Sequence, residues 1–268
     1  MFTAATTRER ASWRCTRGGR TTRPRAIRIF IGASMSSFAL NAISSSTIPP
    51  AAGSTATWCG KRPMDIGRSY GRSGSKGMEG GAEMCTLDPT TIVATFEGRE
   101  IFMNTSPQRC RALAQAMRSR GIKPEWEVFS PTHLLQDVNA CLRAGLDEPP
   151  YFVNFVLGAD RGFQGAMPYS PKVLAQMVEL MPEQAIFNVS AIGPAQLDAG
   201  LQSLLLGGHV RVGLEDNLYY SRGRLANNVE LVERIVRIIR DMGLEPATPA
   251  QARQLIGLPR AQGKSAAA

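Results

Sequence analysis

The stretch GGHVRVGLEDNLYYSRG, residues 207–223, joins one short apolar strand to charged side chains at its carboxyl end. Because side chains alternate between the two faces of a strand, Arg211 and Glu215 point the same way, and Asp216 turns off where the strand ends. Ligands of parallel α/β proteins bind at the carboxyl ends of the strands, so the cluster predicts the floor of an active site. A buried ion pair between Arg211 and Glu215 that ties off the strand explains the same spacing equally well.

Outward from this stretch, the sequence from about Ala82 onward alternates short apolar runs with amphipathic segments. Hydrophobic periods of two and of about 3.6 residues follow each other in turn, and glycines separate them at positions typical of helix C-caps. These glycines are Gly121, Gly145, Gly207 and Gly243. The predicted strands are Met84–Leu87, Glu125–Phe129, Tyr151–Leu157, Ile186–Ile192 and Val210–Leu214. The predicted helices are Pro107–Arg120, Thr132–Ala144, Pro171–Leu180, Ala195–Leu206, Ala226–Met242 and Pro249–Ile256.

This order of elements predicts right-handed βα units and a parallel sheet, and hence an α/β fold. Five such units without a dinucleotide-binding fingerprint favour part of a (β/α)8 barrel over a doubly wound sheet. The candidate phosphate loop, Gly207-Gly208, precedes a strand instead of following one, so we predict a turn there.

Positive charge is confined to the first third of the chain. The formal net charge is +9, but residues 1–80 hold 13 Lys and Arg against 3 Asp and Glu, whereas the remainder holds 18 against 19. A nucleic-acid partner for the folded body is therefore not expected, because it requires basic residues clustered on structured elements.

Residues 1–80 differ from the rest in composition as well as in charge. Ser, Thr, Arg, Gly and Pro dominate, and the apolar island Ile27–Ile31 is too isolated to build a barrel wall. Three explanations stay open, namely a transit-type segment, a basic disordered arm, or a shifted coding frame. We predict a basic, low-order leader over 1–80, a barrel body over 81–258 and a disordered tail over 259–268.

Cysteine and hydropathy patterns bear on the compartment of the protein. The five cysteines include no CxxC pair and are odd in number, a pattern typical of reduced thiols in a cytosolic protein. No apolar run reaches the ~20 residues that a membrane helix needs. We therefore expect a cytoplasmic protein without a membrane partner.

Five strings of the body match one known family in order and spacing. They are AEMCTLD at 82–88, KPEWEVF at 123–129, PPYFVNFVLG at 149–158, GGHVRVGLEDNLY at 207–219 and TPAQARQLIGL at 248–258. With these strings, residues 83–258 resemble the β-keto acid cleavage enzymes, whose best-known member acts on 3-keto-5-aminohexanoate.

The resemblance implies a TIM barrel that binds zinc or another divalent metal and transfers an acyl group between a β-keto acid and acetyl-CoA, giving acetoacetate and an acyl-CoA. It also implies a metal ligand at Glu215, a general base at Asp216 and an orienting guanidinium at Arg211. Thr91 and Glu127 stand where the family contacts its substrate. The chemistry is coherent, because a metal polarises the keto acid and a carboxylate kept ionised by an arginine removes a proton.

This sequence departs from the family at the metal site. The family's two further ligands form a His-x-His pair, whereas the two histidines here, His133 and His209, lie 76 positions apart. Glu215 alone does not hold zinc tightly, because catalytic zinc takes three protein ligands. The missing ligands belong to the region that residues 1–80 occupy, so we expect an incomplete barrel whose N-terminal βα units are replaced by an irregular segment.

Two functions are consistent with these observations. The first is metal-dependent acyl transfer within amino acid catabolism by a homo-oligomer, impaired by loss of the His-x-His ligands. The second is a catalytically inactive barrel remnant that acts only as an interaction partner. An incomplete barrel exposes strand edges, so we also expect the chain to fold poorly and to bind zinc weakly.

Overall fold

The central feature of the protein is a parallel β-sheet, so the carboxyl ends of its strands lie along the same edge. The computed structural model describes residues 28–29, 31–33, 82–96 and 98–258. Six strands form the sheet in the order β2-β9-β8-β7-β6-β3, and every neighbouring pair is parallel. The strands are β2 (Ile31–Ala33), β3 (Met84–Leu87), β6 (Lys123–Val128), β7 (Tyr151–Leu157), β8 (Ala185–Ala191) and β9 (His209–Val212).

Helices follow the strands of this sheet, as the sequence predicts. They are α1 (Pro107–Arg118), α2 (Asn139–Arg143), α3 (Pro171–Glu179), α4 (Gln196–Leu205), α5 (Asn228–Asp241) and α6 (Pro249–Ile256). Asn227 and Thr248 form capping boxes that start α5 and α6, and Ser106 and Ser170 cap α1 and α3. The four glycines that were predicted to end helices all have a positive φ, between 66° and 82°. The α/β prediction is therefore confirmed.

The apolar face of the sheet carries the main core beneath the helices. Trp126 on β6, Val153 and Phe155 on β7, and Val189 on β8 are almost completely buried. Central parallel strands are covered on both faces, which explains the nearly continuous apolar run of β7. A second cluster packs Val210 and the other apolar residues of β9 against α5.

Three small sheets lie outside the predicted pattern. They pair β1 (Arg28–Ile29) with β12 (Glu245–Pro246), β4 (Ile92–Phe96) with β5 (Arg99–Met103), and β10 (Tyr219–Ser221) with β11 (Arg224–Leu225). The two antiparallel hairpins turn at Gly98 and Gly223, whose φ values are 74° and 77°. Both hairpins lie between the predicted strands and helices, in stretches that no predicted element covers.

Two further expectations need correction. The predicted helix Thr132–Ala144 is a π-helical segment over His133–Val138 followed by α2. The apolar island Ile27–Ile31, judged too isolated to build a barrel wall, overlaps β1 and contributes Ile31 to β2, whose Gly32 pairs with Arg211 of β9.

The sheet curves toward its polar face. Arg211 on β9 forms an ion pair with Glu127 on β6, 3.1 Å away, although two strands lie between them. Neighbouring strands are about 4.8 Å apart, so a flat sheet would separate these two backbones by about 14 Å. A concave face brings the side chains together, as in the wall of a barrel. Within the described residues β2 and β3 are the outer strands. No helix in the described part of the chain is long and apolar enough to cross a membrane.

Candidate active site

Arg211 is the centre of a charged cluster at the carboxyl ends of the strands. Its Nε and Nη2 atoms donate to Oδ2 and Oδ1 of Asp216, both at 3.1 Å, which makes a bidentate pair. Nη2 also donates to Glu215 Oε2 at 3.1 Å. The structure therefore brings together the three residues that the stretch 207–223 predicted to converge.

The glycine pair before β9 determines where this strand begins. Gly207 has a φ of 82° and ends α4, in agreement with the turn that the sequence predicted. A Cβ added at Gly208 would lie 2.4 Å from the ring of Phe187 on β8, so the backbone approaches that ring too closely for any side chain. His209 and Arg211 then point to the polar face of the sheet, and Val210 and Val212 to its core.

Glu127 joins the cluster from the other side. Its Oε1 accepts from Arg211 Nη1 at 3.1 Å and from Asn154 Nδ2 at 3.0 Å. Asn154 in turn accepts a 2.8 Å hydrogen bond from the hydroxyl of Ser190 at its Oδ1. Four strands thus contribute to one hydrogen-bonded network, because β6, β7, β8 and β9 each place one of these side chains on the same face.

Two further carboxyl groups in this cluster were missed by sequence reasoning. Glu125 lies two residues before Glu127 on β6 and accepts from the hydroxyl of Thr86 at 2.9 Å. Asp88 lies just after β3, with its carboxyl group beside that of Glu127. The signal was present in the string KPEWEVF, where alternate positions of an otherwise buried strand carry glutamates.

Burial governs the protonation of these carboxyl groups. Desolvation raises the pKa of Asp216 to about 6, although the charge of Arg211 opposes the shift. Desolvation and the charge of Glu127 raise the pKa of Glu125 to about 7. Desolvation also raises the pKa of Glu127 and that of Asp88. Repulsion by the Asp88 carboxylate raises the pKa of Glu127 further. Arg211 favours the ionised form of Asp216, as expected of an ion pair, but desolvation has the larger effect on this pKa.

The described residues do not supply the donor set of a metal site. They contain no group of three His, Cys, Asp or Glu side chains arranged to hold an ion. Glu215 is engaged by Arg211. His133 Nδ1 accepts from the backbone N–H of Phe129 at 3.2 Å, and His209 stacks on Phe152. Burial lowers the pKa of both histidines to about 4. Zinc therefore does not fit the residues in the described part of the chain.

Thr91 is not part of the Arg211 network. It is exposed just before β4, and its hydroxyl donates to Asn104 Oδ1 at 3.3 Å. Its predicted contact with substrate stays a prediction. The hairpin β4–β5 on which this pair lies is tied to the loop after β7, because Thr95 N donates to Gly162 O at 2.7 Å.

Comparison with known proteins identifies the family. The chain is 36% identical over 177 residues to a 3-keto-5-aminohexanoate cleavage enzyme of Acetoanaerobium sticklandii, an alignment that covers 66% of this chain and 62% of the relative. It is 38% identical over 177 residues to the enzyme of the same name from Fusobacterium nucleatum, covering 66% and 61%. It is 36% identical over 199 residues to a 3-oxoadipate:acetyl-CoA acetyltransferase of Cupriavidus necator, covering 70% and 66%.

Among solved structures, apo ObcA aligns with 21% identity and a TM-score of 0.48 over 66% of this chain and 44% of that chain. The chain spans about three fifths of the length of the curated relatives that it matches first. The sequence model of the beta-keto acid cleavage enzymes matches residues 68–258, well over half of the chain. This chain therefore belongs to the β-keto acid cleavage enzyme family.

Proposed function

We propose that the protein transfers an acyl group between a β-keto acid and acetyl-CoA, giving acetoacetate and a new acyl-CoA. One relative carries a name of this chemistry, the 3-oxoadipate:acetyl-CoA acetyltransferase. The observation that carries the proposal is the bidentate pair of Arg211 and Asp216 at the carboxyl ends of the strands.

In this proposal Asp216 is the general base that removes a proton from the β-keto acid. A base works best when its pKa is near the working pH, and a value of about 6 leaves Asp216 mostly ionised at pH 7 while keeping it basic. Arg211 fixes the direction of the carboxylate through both of its oxygens. Glu127 lies near the tail of the substrate, as the resemblance implies. No step is routed through a metal, because the described residues do not fit one.

The proposal extends to the setting of the protein. A cytoplasmic, reducing compartment is supported by Cys110 and Cys141, whose sulfurs lie 3.6 Å apart as free thiols. A homo-oligomer is supported by apolar side chains exposed around the hairpin β10–β11, among them Leu218, Tyr219 and Leu225. A role in amino acid catabolism follows from the names of the first two relatives.

A second candidate is the inactive barrel remnant that acts as an interaction partner. It is favoured by one specific observation, namely that the described residues do not assemble the donor set that the family's metal requires. The two candidates differ in a single measurable property, which is turnover.

The experiment combines metal content with turnover. The purified chain is assayed by plasma mass spectrometry for zinc and incubated with acetyl-CoA and a panel of β-keto acids, while acetoacetate is followed. We expect acetoacetate from the wild type and none from Asp216→Asn. Asp198→Asn, at an exposed position of α4, is the matched control and is expected to retain full activity. Absence of turnover from a folded, zinc-supplemented wild type would establish the remnant instead.

A further inference from the structure

The polar face contains buried polar side chains to which the proposed reaction gives no role, and two of them share a hydrogen bond. Asn154 at the middle of β7 is fully buried, and Ser190 on β8 is 1% exposed. Both lie on central strands that are mostly apolar. A polar group in such a position is costly unless its hydrogen bonds are made, so its partners show what it is suited to hold.

The partners of Asn154 leave its amide a single orientation. Its Oδ1 accepts from the Ser190 hydroxyl at 2.8 Å, and its Nδ2 donates to Glu127 Oε1 at 3.0 Å. The opposite orientation would direct the amide oxygen at the Glu127 carboxyl, where two acceptors repel each other. Ser190 therefore holds the N–H of Asn154 toward Glu127.

The same oxygen of Glu127 receives Arg211. Because Oε1 accepts from both Asn154 and Arg211, the position at which the amide holds Glu127 is also the position at which Glu127 holds the guanidinium. Arg211 is thus gripped on one side by Glu127 at Nη1 and on the other by Asp216 at Nε and Nη2. A shift of Glu127 would rotate the guanidinium away from the proposed base.

We propose that Ser190 and Asn154 are positioning residues, which act through Glu127 to hold Arg211 in register with Asp216. The inference rests on the proposed function for its kinetic consequence, but the coupling between these side chains exists whether or not the chain turns over substrate.

The kinetic test compares Ser190→Ala with Ser190→Thr, which keeps the hydroxyl, and with Ser203→Ala. Ser203 is also fully buried, and its hydroxyl donates to the backbone carbonyl of His209, which is not part of the network of Ser190, Asn154, Glu127 and Arg211. We expect Ser190→Ala to lower kcat about tenfold with less than a threefold change in KM, and Ser190→Thr to restore at least a third of the lost rate. Ser203→Ala is expected to keep kcat within twofold. Equal losses of kcat in both alanine variants would overturn the proposal.

A second test does not depend on activity. Urea midpoints are measured for Ser190→Ala, Arg211→Met and the double variant. Independent sites give additive shifts, whereas connected sites do not. We expect the shift of the double variant to be at least a third smaller than the sum of the single shifts, whereas Ser203→Ala with Arg211→Met should be additive. Additive shifts in both pairs would refute the proposed coupling between Ser190 and Arg211. Non-additive shifts for Ser190 and Arg211 in a protein without turnover would refute only the proposed function.

Discussion

The two faces of the central sheet are built from the same strands and have opposite chemistry. On β6, Glu125 and Glu127 alternate with Trp126 and Val128; Glu125 is partly buried and the other three residues are buried. The face that packs under the helices is apolar from β3 to β9, whereas the concave face collects five carboxyl groups around Arg211. Because successive side chains of a strand point to opposite faces, residues that stabilise the fold alternate with residues that form the site.

The comparison shows how burial acts differently on each face. On the apolar face, desolvation stabilises the fold in proportion to the area removed from water. On the concave face it opposes folding, because carboxyl groups lose hydration and the charge of Arg211 offsets this loss only in part. Burial itself lowers the pKa of Arg211, but the charge of Asp216 and of the other carboxylates outweighs it and holds that pKa above its usual range. The apolar face thus supports a site whose burial opposes folding.

The largest effect is expected from removing the proposed base. Asp216→Asn keeps the shape of the side chain but loses the charge that accepts a proton. We expect kcat to fall by roughly 10²- to 10⁴-fold, the range typical of general base catalysis, while the urea midpoint changes little because Arg211 retains Glu127 and Glu215. Steady-state kinetics with acetyl-CoA measures the fall. A variant that keeps more than a tenth of the rate would remove Asp216 from the mechanism.

The opposite face should show the reverse pattern, with stability lost before activity. Phe155→Ala on β7 removes a fully buried ring that packs on Phe187, with 5.6 Å between the ring centroids. We expect the free energy of unfolding to fall by about 3–5 kcal/mol, as measured by urea denaturation. Phe102→Ala, at a side chain that is 46% exposed, is the matched control and should cost less than about 1 kcal/mol. Similar losses in both variants would show that the apolar face is not the main core.

The contrast between the faces also explains what could be predicted from the sequence. Strands β3 and β7 and helix α6 agree residue for residue with the predicted ranges, because long apolar runs and capping residues are local signals. The convergence of Arg211, Glu215 and Asp216 was predictable for the same reason, since one stretch of 17 residues carries all three.

The rest of the site depends on pairing between distant strands. Glu127 lies 84 residues from Arg211, and Asn154 lies 36 residues from Ser190. A single strand such as YFVNFVL reveals an asparagine in an apolar run, but not the side chain that this asparagine meets. The register between β6 and β7, which places Glu127 opposite Asn154, is a tertiary property.

The stability of the protein should depend on pH through a carboxyl group of the concave face rather than through the apolar face. Glu125 has a folded-state pKa of about 7, above its ordinary value of 4.5, so the folded state holds its proton more tightly than the unfolded state does. Stability from this group is therefore present below about pH 4.5 and is lost as the pH rises through about 7. We expect the urea midpoint of the wild type, relative to that of Glu125→Gln, to fall between pH 4.5 and pH 7.5. A difference that rises or stays constant would contradict the burial of this carboxyl.

The smallest effect is expected at Thr91, where the family resemblance and the geometry of the chain lead to different expectations. A substrate contact predicts that Thr91→Ala raises KM about tenfold. The hydroxyl is exposed, however, and bonds only loosely to Asn104 on the same hairpin, outside the network of Arg211. We therefore expect kcat/KM to change less than twofold and the free energy of unfolding by less than about 0.5 kcal/mol. Asn104→Ala serves as the companion variant, because it removes the same hydrogen bond without touching Thr91. A rise in KM for Thr91→Ala alone would place the hairpin β4–β5 at the substrate, and would extend the polar site beyond the face of the central sheet.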